Sequence, residues 1–185
     1  LEEVIEILNE EGITGPVVIK LAAGTHLGPY TLGKVRGTST TNTITFTSLD
    51  AAPTAILTRT SMSSVSRSVF ELLGTKNVIF ENLTIKISVT SDAWGINIRN
   101  KADNIVIRGC TFNCTDTSNI YIVAVNSNSS IYTEGQSVEN LLVEGNNFNG
   151  GYMSVVVMGK SDYHLKGIKI SNNKITGSTH TALNL

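Results

Sequence analysis

One nine-residue segment occurs four times from residue 77 onward, as NVIFENLTI, NIVIRGCTF, NLLVEGNNF and GIKISNNKI. The copies begin at Asn77, Asn104, Asn140 and Gly167, and the spacings between them are 27, 36 and 27 residues. In every copy the second, fourth and ninth residues are apolar. Repeats of this length indicate stacked units, because one unit is too small to bury its apolar side chains alone. The repeat therefore predicts a solenoid.

The apolar pattern within each segment predicts a strand that turns a corner. Apolar residues at the second and fourth positions have the period of two that is typical of a strand. The next position that faces inward is the seventh, and this step of three residues breaks the alternation. We therefore expect a bend after a first short strand and a second strand beyond it.

The seventh position carries Asn146 in the third copy and Asn173 in the fourth. A buried amide without a partner costs about 1 to 3 kcal/mol. Stacked one coil apart, the two side chains can bond each other and the backbone of the turn. We therefore predict a structural asparagine ladder at this corner.

A weaker motif precedes each segment, so that each coil holds two or three short strands. We align its copies by spacing and predict an inward row of Phe70, Ile96, Val123, Val155 and Leu183. The adjacent outward row in this alignment is Glu71, Asn97, Ala124, Val156 and Asn184.

Composition and charge agree with an all-β solenoid. The 22 Thr, 18 Asn and 18 Ser favour strands and turns. Only residues 1–12 have a helical pattern, with Leu1, Val4, Ile5 and Leu8 on one face, and we predict a capping helix there, followed by one domain of coils over 13–185. A net charge of -1 without a basic stripe argues against nucleic acid, and no apolar run is long enough to span a membrane.

The cysteines, Cys110 and Cys114, are four residues apart in an extended segment. At about 3.3 Å per residue their Cα atoms are roughly 13 Å apart. A disulfide requires less than about 7 Å, so we expect no bond between them. Both are interpreted as small core residues.

The tandem coils, the asparagine corner and the lead-in GPVVIKLAAGTHLGPYTLGKVRGTSTTNTITFTS resemble the right-handed parallel β-helix proteins of the pectate-lyase-like superfamily. They are most similar to β-helix domains of large secreted or surface proteins of bacteria. The resemblance implies a right-handed parallel β-helix, a helix that caps its first coil, and a secreted or cell-surface location. Because TALNL begins a coil at the end of the chain, we expect a fragment truncated at its C-terminal end, and end-to-end self-association through the exposed last coil.

Connections between coils bring chemically distinct residues to two rims. One rim is predicted to gather Lys101, Asp103, Tyr132, Glu134, Asp162, Tyr163 and His164. Aromatic rings with carboxylates and amides suit a sugar, so we predict carbohydrate binding there. The alternatives are solvated loops or a catalytic rim, with a carboxylate pair such as Asp103 and Asp162. The opposite rim carries Asp92, Trp94, Asp116 and His180, and Trp94 is aligned with Tyr121 and Met153.

The expected function is a non-catalytic extracellular module that binds polysaccharide or mediates adhesion. The predicted outward row lacks the clustered carboxylates of a calcium-dependent lyase, and the motifs of polygalacturonase-like hydrolases are absent. We therefore expect no catalytic residue, metal or cofactor within this sequence. The alternatives are the N-terminal part of a polysaccharide lyase or glycoside hydrolase, and a purely structural spacer.

Overall fold

A computed structural model describes residues 1–63, 66–89, 91–114, 121–128, 138–159 and 165–185. The chain begins with helix α1 (Glu2–Glu11). The strands follow as β1 (Val17–Leu21), β2 (Gly24–Leu27), β3 (Tyr30–Leu32), β4 (Ile44–Ser48), β5 (Ala55–Thr58), β6 (Ser68–Leu73), β7 (Lys76–Glu81), β8 (Thr84–Ile87), β9 (Ala93–Arg99), β10 (Asp103–Arg108), β11 (Thr111–Cys114), β12 (Ile122–Asn128), β13 (Glu139–Glu144), β14 (Asn147–Asn149), β15 (Met153–Met158), β16 (Lys169–Ser171), β17 (Lys174–Thr176) and β18 (Thr181–Asn184).

These strands form three parallel sheets of six strands each. Every third strand joins the same sheet: β1 starts sheet A, β2 starts sheet B and β3 starts sheet C. The chain therefore winds as a parallel β-solenoid of about five turns with one short N-terminal helix, which confirms the predicted all-β solenoid and its helix.

Left-handed backbone conformations explain the residue types found at two positions of the nine-residue segment. The first residue of each copy has a positive φ, as has the sixth: Asn77, Asn104, Asn140 and Gly167, then Asn82, Gly109, Gly145 and Asn172. Glycine lacks the Cβ that makes this conformation costly, and asparagine tolerates it better than most residues. The sixth residue lies between the sheet A strand and the sheet B strand, where the sequence predicted the corner.

The predicted asparagine ladder is present at this corner. The Asn146 amide nitrogen donates to Asn173 Oδ1 over 3.0 Å and to the carbonyl oxygen of Ile107 over 2.9 Å. Asn146 Oδ1 accepts from the backbone N–H of Cys110 over 2.9 Å. Asn173 Nδ2 donates to the Val143 carbonyl oxygen over 2.9 Å, so both side chains join consecutive coils as expected.

The core is a stack of inward side chains closed at one end by α1. Phe112 and Phe148 stack with ring centroids 4.8 Å apart. Ile5 and Leu8 of α1 are buried against the coils, and Gly12, the residue that caps the C-terminal end of α1, has a φ of 78°. In the last coil the core side chains are only partly covered, and Leu183 is 39% exposed.

The register of β12 corrects one of our alignments by two residues. Ile96 pairs with Val125 and Asn97 pairs with Asn126, whereas the alignment had placed Val123 and Ala124 at these positions. Residues 122–125 are all apolar and therefore fit either register. In the observed register the side chains of Asn97 and Asn126 form a hydrogen bond with each other. The remaining members of both rows are as predicted.

Both cysteines are free, as predicted. Burial raises the pKa of the Cys110 thiol to about 12 and that of the Cys114 thiol to about 12. Both thiols are therefore protonated at neutral pH, which disfavours nucleophilic or metal-binding roles. No helix among the described residues is long and apolar enough to cross a membrane.

Candidate functional site on the outer face of sheet C

Sheet C carries a second apolar cluster on its outer face, apart from the core. Trp94, Val123, Met153 and Val156 form this cluster, and all four are buried. Trp94 pairs in register with Val123, which pairs with Met153. Our alignment of Trp94 with Tyr121 is therefore wrong, because it contains the same two-residue error in the register of β12. The cluster gives this face an apolar wall that runs along three successive coils.

A row of polar side chains lies beside the apolar wall, and we call it the amide row: Glu71, Asn97 and Asn126. Asn97 Nδ2 donates to Glu71 Oε1 over 3.1 Å, and Asn126 Nδ2 donates to Asn97 Oδ1 over 2.8 Å. Both asparagines are fully buried. The next position in register is Val156, so the row ends against an apolar side chain.

Arg99 forms an ion pair with the first member of the amide row. Its Nη1 lies 3.1 Å from Glu71 Oε1, and each side chain is 23% exposed. One carboxylate thus holds a guanidinium and an amide at a fixed position at the edge of the face. Together these groups form a hydrogen-bonded network beside the buried apolar cluster that contains Trp94.

A second axial row follows the corner between sheets B and C, and we call it the corner row: Arg67, Asp92, Tyr121, Tyr152 and His180. Arg67 Nη1 lies 3.2 Å from Asp92 Oδ2, and Asp92 Oδ1 accepts from the backbone N–H of Tyr121 over 3.0 Å. The rings of Tyr121 and Tyr152 have centroids 5.6 Å apart, and those of Tyr152 and His180 are 4.6 Å apart. Successive coils therefore each contribute one residue to this row.

The corner row is joined to the apolar wall. The Arg67 guanidinium lies 5.8 Å from the centre of the Trp94 ring, within the range of a cation–π contact. Tyr121 and Tyr152 pack against the cluster of Trp94 and Met153 while remaining half-buried, and His180 is exposed. The structure thus connects Asp92, Trp94 and His180 of the predicted opposite rim, while Asp116 lies outside the described residues.

The first predicted rim is described only in part. Asp103 Oδ2 lies 3.5 Å from Lys76 Nζ, and its Oδ1 accepts from Asn140 Nδ2 over 2.8 Å. Both carboxylate oxygens of Asp103 therefore join neighbouring coils. Lys101 is exposed, with a positive φ of 58°. The other predicted members lie outside the described residues: Tyr132, Glu134, Asp162, Tyr163 and His164.

Three members of the outer-face site were missed by sequence reasoning. Arg67 and Tyr152 lie at bends where no period of two or three exists, so the sequence offered no signal for them. Asn126 had a signal, because aligning the asparagines of GINI and VAVN would have paired it with Asn97.

The described part of the site consists of hydrogen-bonding, charged and aromatic side chains. Among the described residues, no group of three or more His, Cys, Asp or Glu side chains is placed to hold a metal ion. The carboxylates of the face, Glu71 and Asp92, each pair with an arginine. No protein-family model, curated protein or solved structure matches the chain.

Proposed function

We propose that the chain is a non-catalytic polysaccharide-binding module of a secreted or cell-surface protein, and that the corner row along sheet C is its binding surface. The observation that carries the proposal is the corner row, in which one polar or aromatic residue from each successive coil lies beside Trp94. The sequence resemblance to the pectate-lyase-like superfamily, and to bacterial surface proteins within it, supports the same function.

The chemistry of the face suits a polyhydroxylated ligand. Tyrosine supplies an apolar ring and a hydroxyl group, and the rings of Tyr121 and Tyr152 are half-buried while His180 is exposed. Because the corner row runs across neighbouring coils, it matches a polymer better than a single small molecule. A polymer that contacts several coils gains affinity from many weak contacts.

The proposal is tested by measuring binding of the purified chain to a panel of soluble polysaccharides by affinity electrophoresis and calorimetry. Tyr152→Ala removes the central ring of the corner row and should weaken binding roughly tenfold. Lys86→Ala, on the exposed outer face of sheet B, is the matched control and should bind like the parent chain. The proposal is wrong if no polysaccharide binds at millimolar concentration.

The first predicted rim is the second candidate surface of the same module. Tyr163→Ala and His164→Ala test it in the same assay, alongside Asp103→Asn. If these variants lose affinity while Tyr152→Ala does not, the ligand binds the rim that contains Lys101 instead of sheet C. Assays for unsaturated products from acidic polysaccharides at several calcium concentrations test the alternative of a lyase.

Self-association through the last coil is proposed as a separate property. Its support is the partial exposure of the core side chains there, with Leu183 39% and Leu185 65% exposed, whereas Val155 and Val157 one coil earlier are fully buried. Sedimentation velocity over a hundredfold range of concentration tests it. A sedimentation coefficient that does not change with concentration would rule it out.

A further inference from the structure

The outer face of sheet A carries an apolar row with a charged row on each side of it. The apolar row follows the strand register from the first coil to the fifth through Val18, Thr45, Ile79, Val106 and Leu142. Val18 is 57% exposed, and the other members are half-buried. An apolar centre with a polar rim is the usual arrangement of a contact between proteins. The face therefore has the composition of an interface.

The two charged rows contain side chains of both signs. One row follows the register through Lys20, Thr47, Glu81, Arg108, Glu144 and Ser171. The other follows it from the third coil to the sixth through Lys76, Asp103, Glu139 and Lys166. Arg108 Nε donates to Glu81 Oε2 over 2.7 Å, and Lys76 Nζ lies 3.5 Å from Asp103 Oδ2. The third and fourth coils thus hold one cation and one anion in each row.

The charges of this face complement those of a second copy of the chain, its partner. Two facing copies can be related by a two-fold axis that runs along the strands between β7 and β10, so that β7 of each copy lies opposite β10 of the other. Glu81 then faces the partner's Arg108, and Lys76 faces the partner's Asp103. The axis repeats both contacts, which gives four pairs of opposite charge close to it and no like-charge pair in either row.

Other arrangements in which the two faces overlap extensively bring like charges together. Moving the partner by one coil places Glu81 opposite the partner's Glu81, or Arg108 opposite the partner's Arg108. A two-fold axis along the solenoid instead places Glu144 opposite the partner's Glu139. Like charges that face each other disfavour a contact and thereby fix its register. The charge pattern therefore selects the antiparallel arrangement with β7 opposite β10.

We propose that the chain forms an antiparallel homodimer through the outer faces of sheet A, with the two-fold axis between β7 and β10. Ile79 of one copy packs against the partner's Val106, and the charged rows form the rim. The contact uses neither the corner row nor Leu183 of the last coil, so it is independent of the proposed binding function and of end-to-end association. A face of six strands, each about 4.8 Å from the next, buries an area at the low end of the range for specific complexes, so the dimer is weak.

The first experiment follows the full chain by sedimentation velocity up to about 0.5 mM, where the parent should shift from monomer to dimer and no further. Arg108→Glu places carboxylates opposite each other and should weaken the dimer about tenfold or more. Arg108→Glu combined with Glu81→Arg restores every pair and should bring the affinity to within about threefold of the parent. Lys86→Glu, on the exposed face of sheet B, is the matched control and should dimerise like the parent.

Three results of this experiment would overturn the proposal. They are a monomer at every concentration, a double variant that dimerises as weakly as Arg108→Glu, and association that Leu183→Asn abolishes while Arg108→Glu leaves it unchanged. The last result would assign the association to the last coil.

The second experiment tests the register with variants that add one cysteine and with a short bismaleimide. In the proposed dimer Thr45 lies opposite the partner's Leu142, whereas within one chain the two residues are three coils, roughly 14 Å, apart. A mixture of Thr45→Cys and Leu142→Cys chains should therefore form cross-linked dimers, and neither variant alone should. The native thiols react slowly, because burial raises the pKa of Cys110 and Cys114 to about 12. Cross-linking of Leu142→Cys alone, which indicates a parallel dimer, or no cross-linking of the mixture would overturn the proposal.

Discussion

The side-chain nitrogen of Asn126 donates to the side-chain oxygen of Asn97 over 2.8 Å, and both residues are fully buried on the outer face of sheet C. Stacked amides stabilise neighbouring coils because each satisfies the other in a place that water does not reach. The row stops where Val156 replaces the next asparagine. Among the described residues Asn126 Oδ1 has no hydrogen-bond partner, so a donor introduced at position 156 would stabilise the fold.

We predict that Val156→Thr is tolerated better than Val157→Thr. Both valines are fully buried, and Val157 belongs to the core. A hydroxyl buried without a partner costs about 1 to 3 kcal/mol. At position 156 the hydroxyl lies one strand from Asn126 Oδ1 and can donate to it, so the loss in free energy of unfolding should be at least about 1 kcal/mol smaller there. Urea denaturation measures the difference, and equal losses would contradict the prediction.

The corner ladder leads to a second prediction. Asn146→Ala removes a side chain that makes three hydrogen bonds, two of them to backbone groups of the preceding coil. The buried Cys110 N–H would lose its acceptor and the Ile107 carbonyl would lose one donor, and the free energy of unfolding should fall by roughly 2 to 4 kcal/mol. Asn149→Ala is the control, because Asn149 bonds Asn113 on the exposed face of sheet B. That variant should lose less than about 0.5 kcal/mol.

The fold was predictable because its periodic positions are set by burial and backbone conformation. The inward residues of sheets A and B repeat at fixed positions, and the seventh position requires either an apolar residue or a ladder amide such as Asn146. The first and sixth positions repeat for a different reason, since Asn and Gly tolerate a positive φ. Both requirements recur in every coil and can be read from one sequence.

The candidate site was predictable only in part, because its residues are not periodic. The run of residues 122–125 is apolar throughout, so alternation alone does not fix its register. Arg67 and Tyr152 lie in bends, where the path of the chain depends on loop length and tertiary contacts. Asp103 was predicted at a rim, but its contacts with Lys76 and Asn140 depend on how the coils stack. The positions and contacts of these residues depend on how the coils stack, and the periodic sequence pattern does not determine that stacking.

Gly167 provides a test of close packing between the last two coils. It has a φ of 68°, and a Cβ there would lie 3.1 Å from the Cα of Asn140 and against its side-chain oxygen. Gly145 has a similar φ of 63° but no atom within 4 Å of such a Cβ. Gly145→Ala should cost only the left-handed strain, about 1 to 2 kcal/mol. Gly167→Ala should cost about 1 kcal/mol more because Asn140 must move. Equal melting curves for the two variants would show that this contact is unimportant.

The thiol of Cys110 should make stability depend on pH in alkaline solution. Burial raises its pKa in the folded chain to about 12, whereas an unfolded cysteine has a pKa of about 8.5. The folded state therefore holds the proton more tightly, and this contribution is fully present below about pH 8.5 and is lost as pH rises towards 12.

The expected fall in free energy of unfolding from this thiol approaches 1.4 kcal/mol per pH unit between those values. Urea denaturation at pH 7, 8, 9 and 10 measures it. Cys110→Ala should be less stable at pH 7, because it leaves a cavity, but should fall less steeply above pH 9 than the parent chain. Parallel curves for the two proteins would mean that Cys110 ionises in the folded state as it does in water.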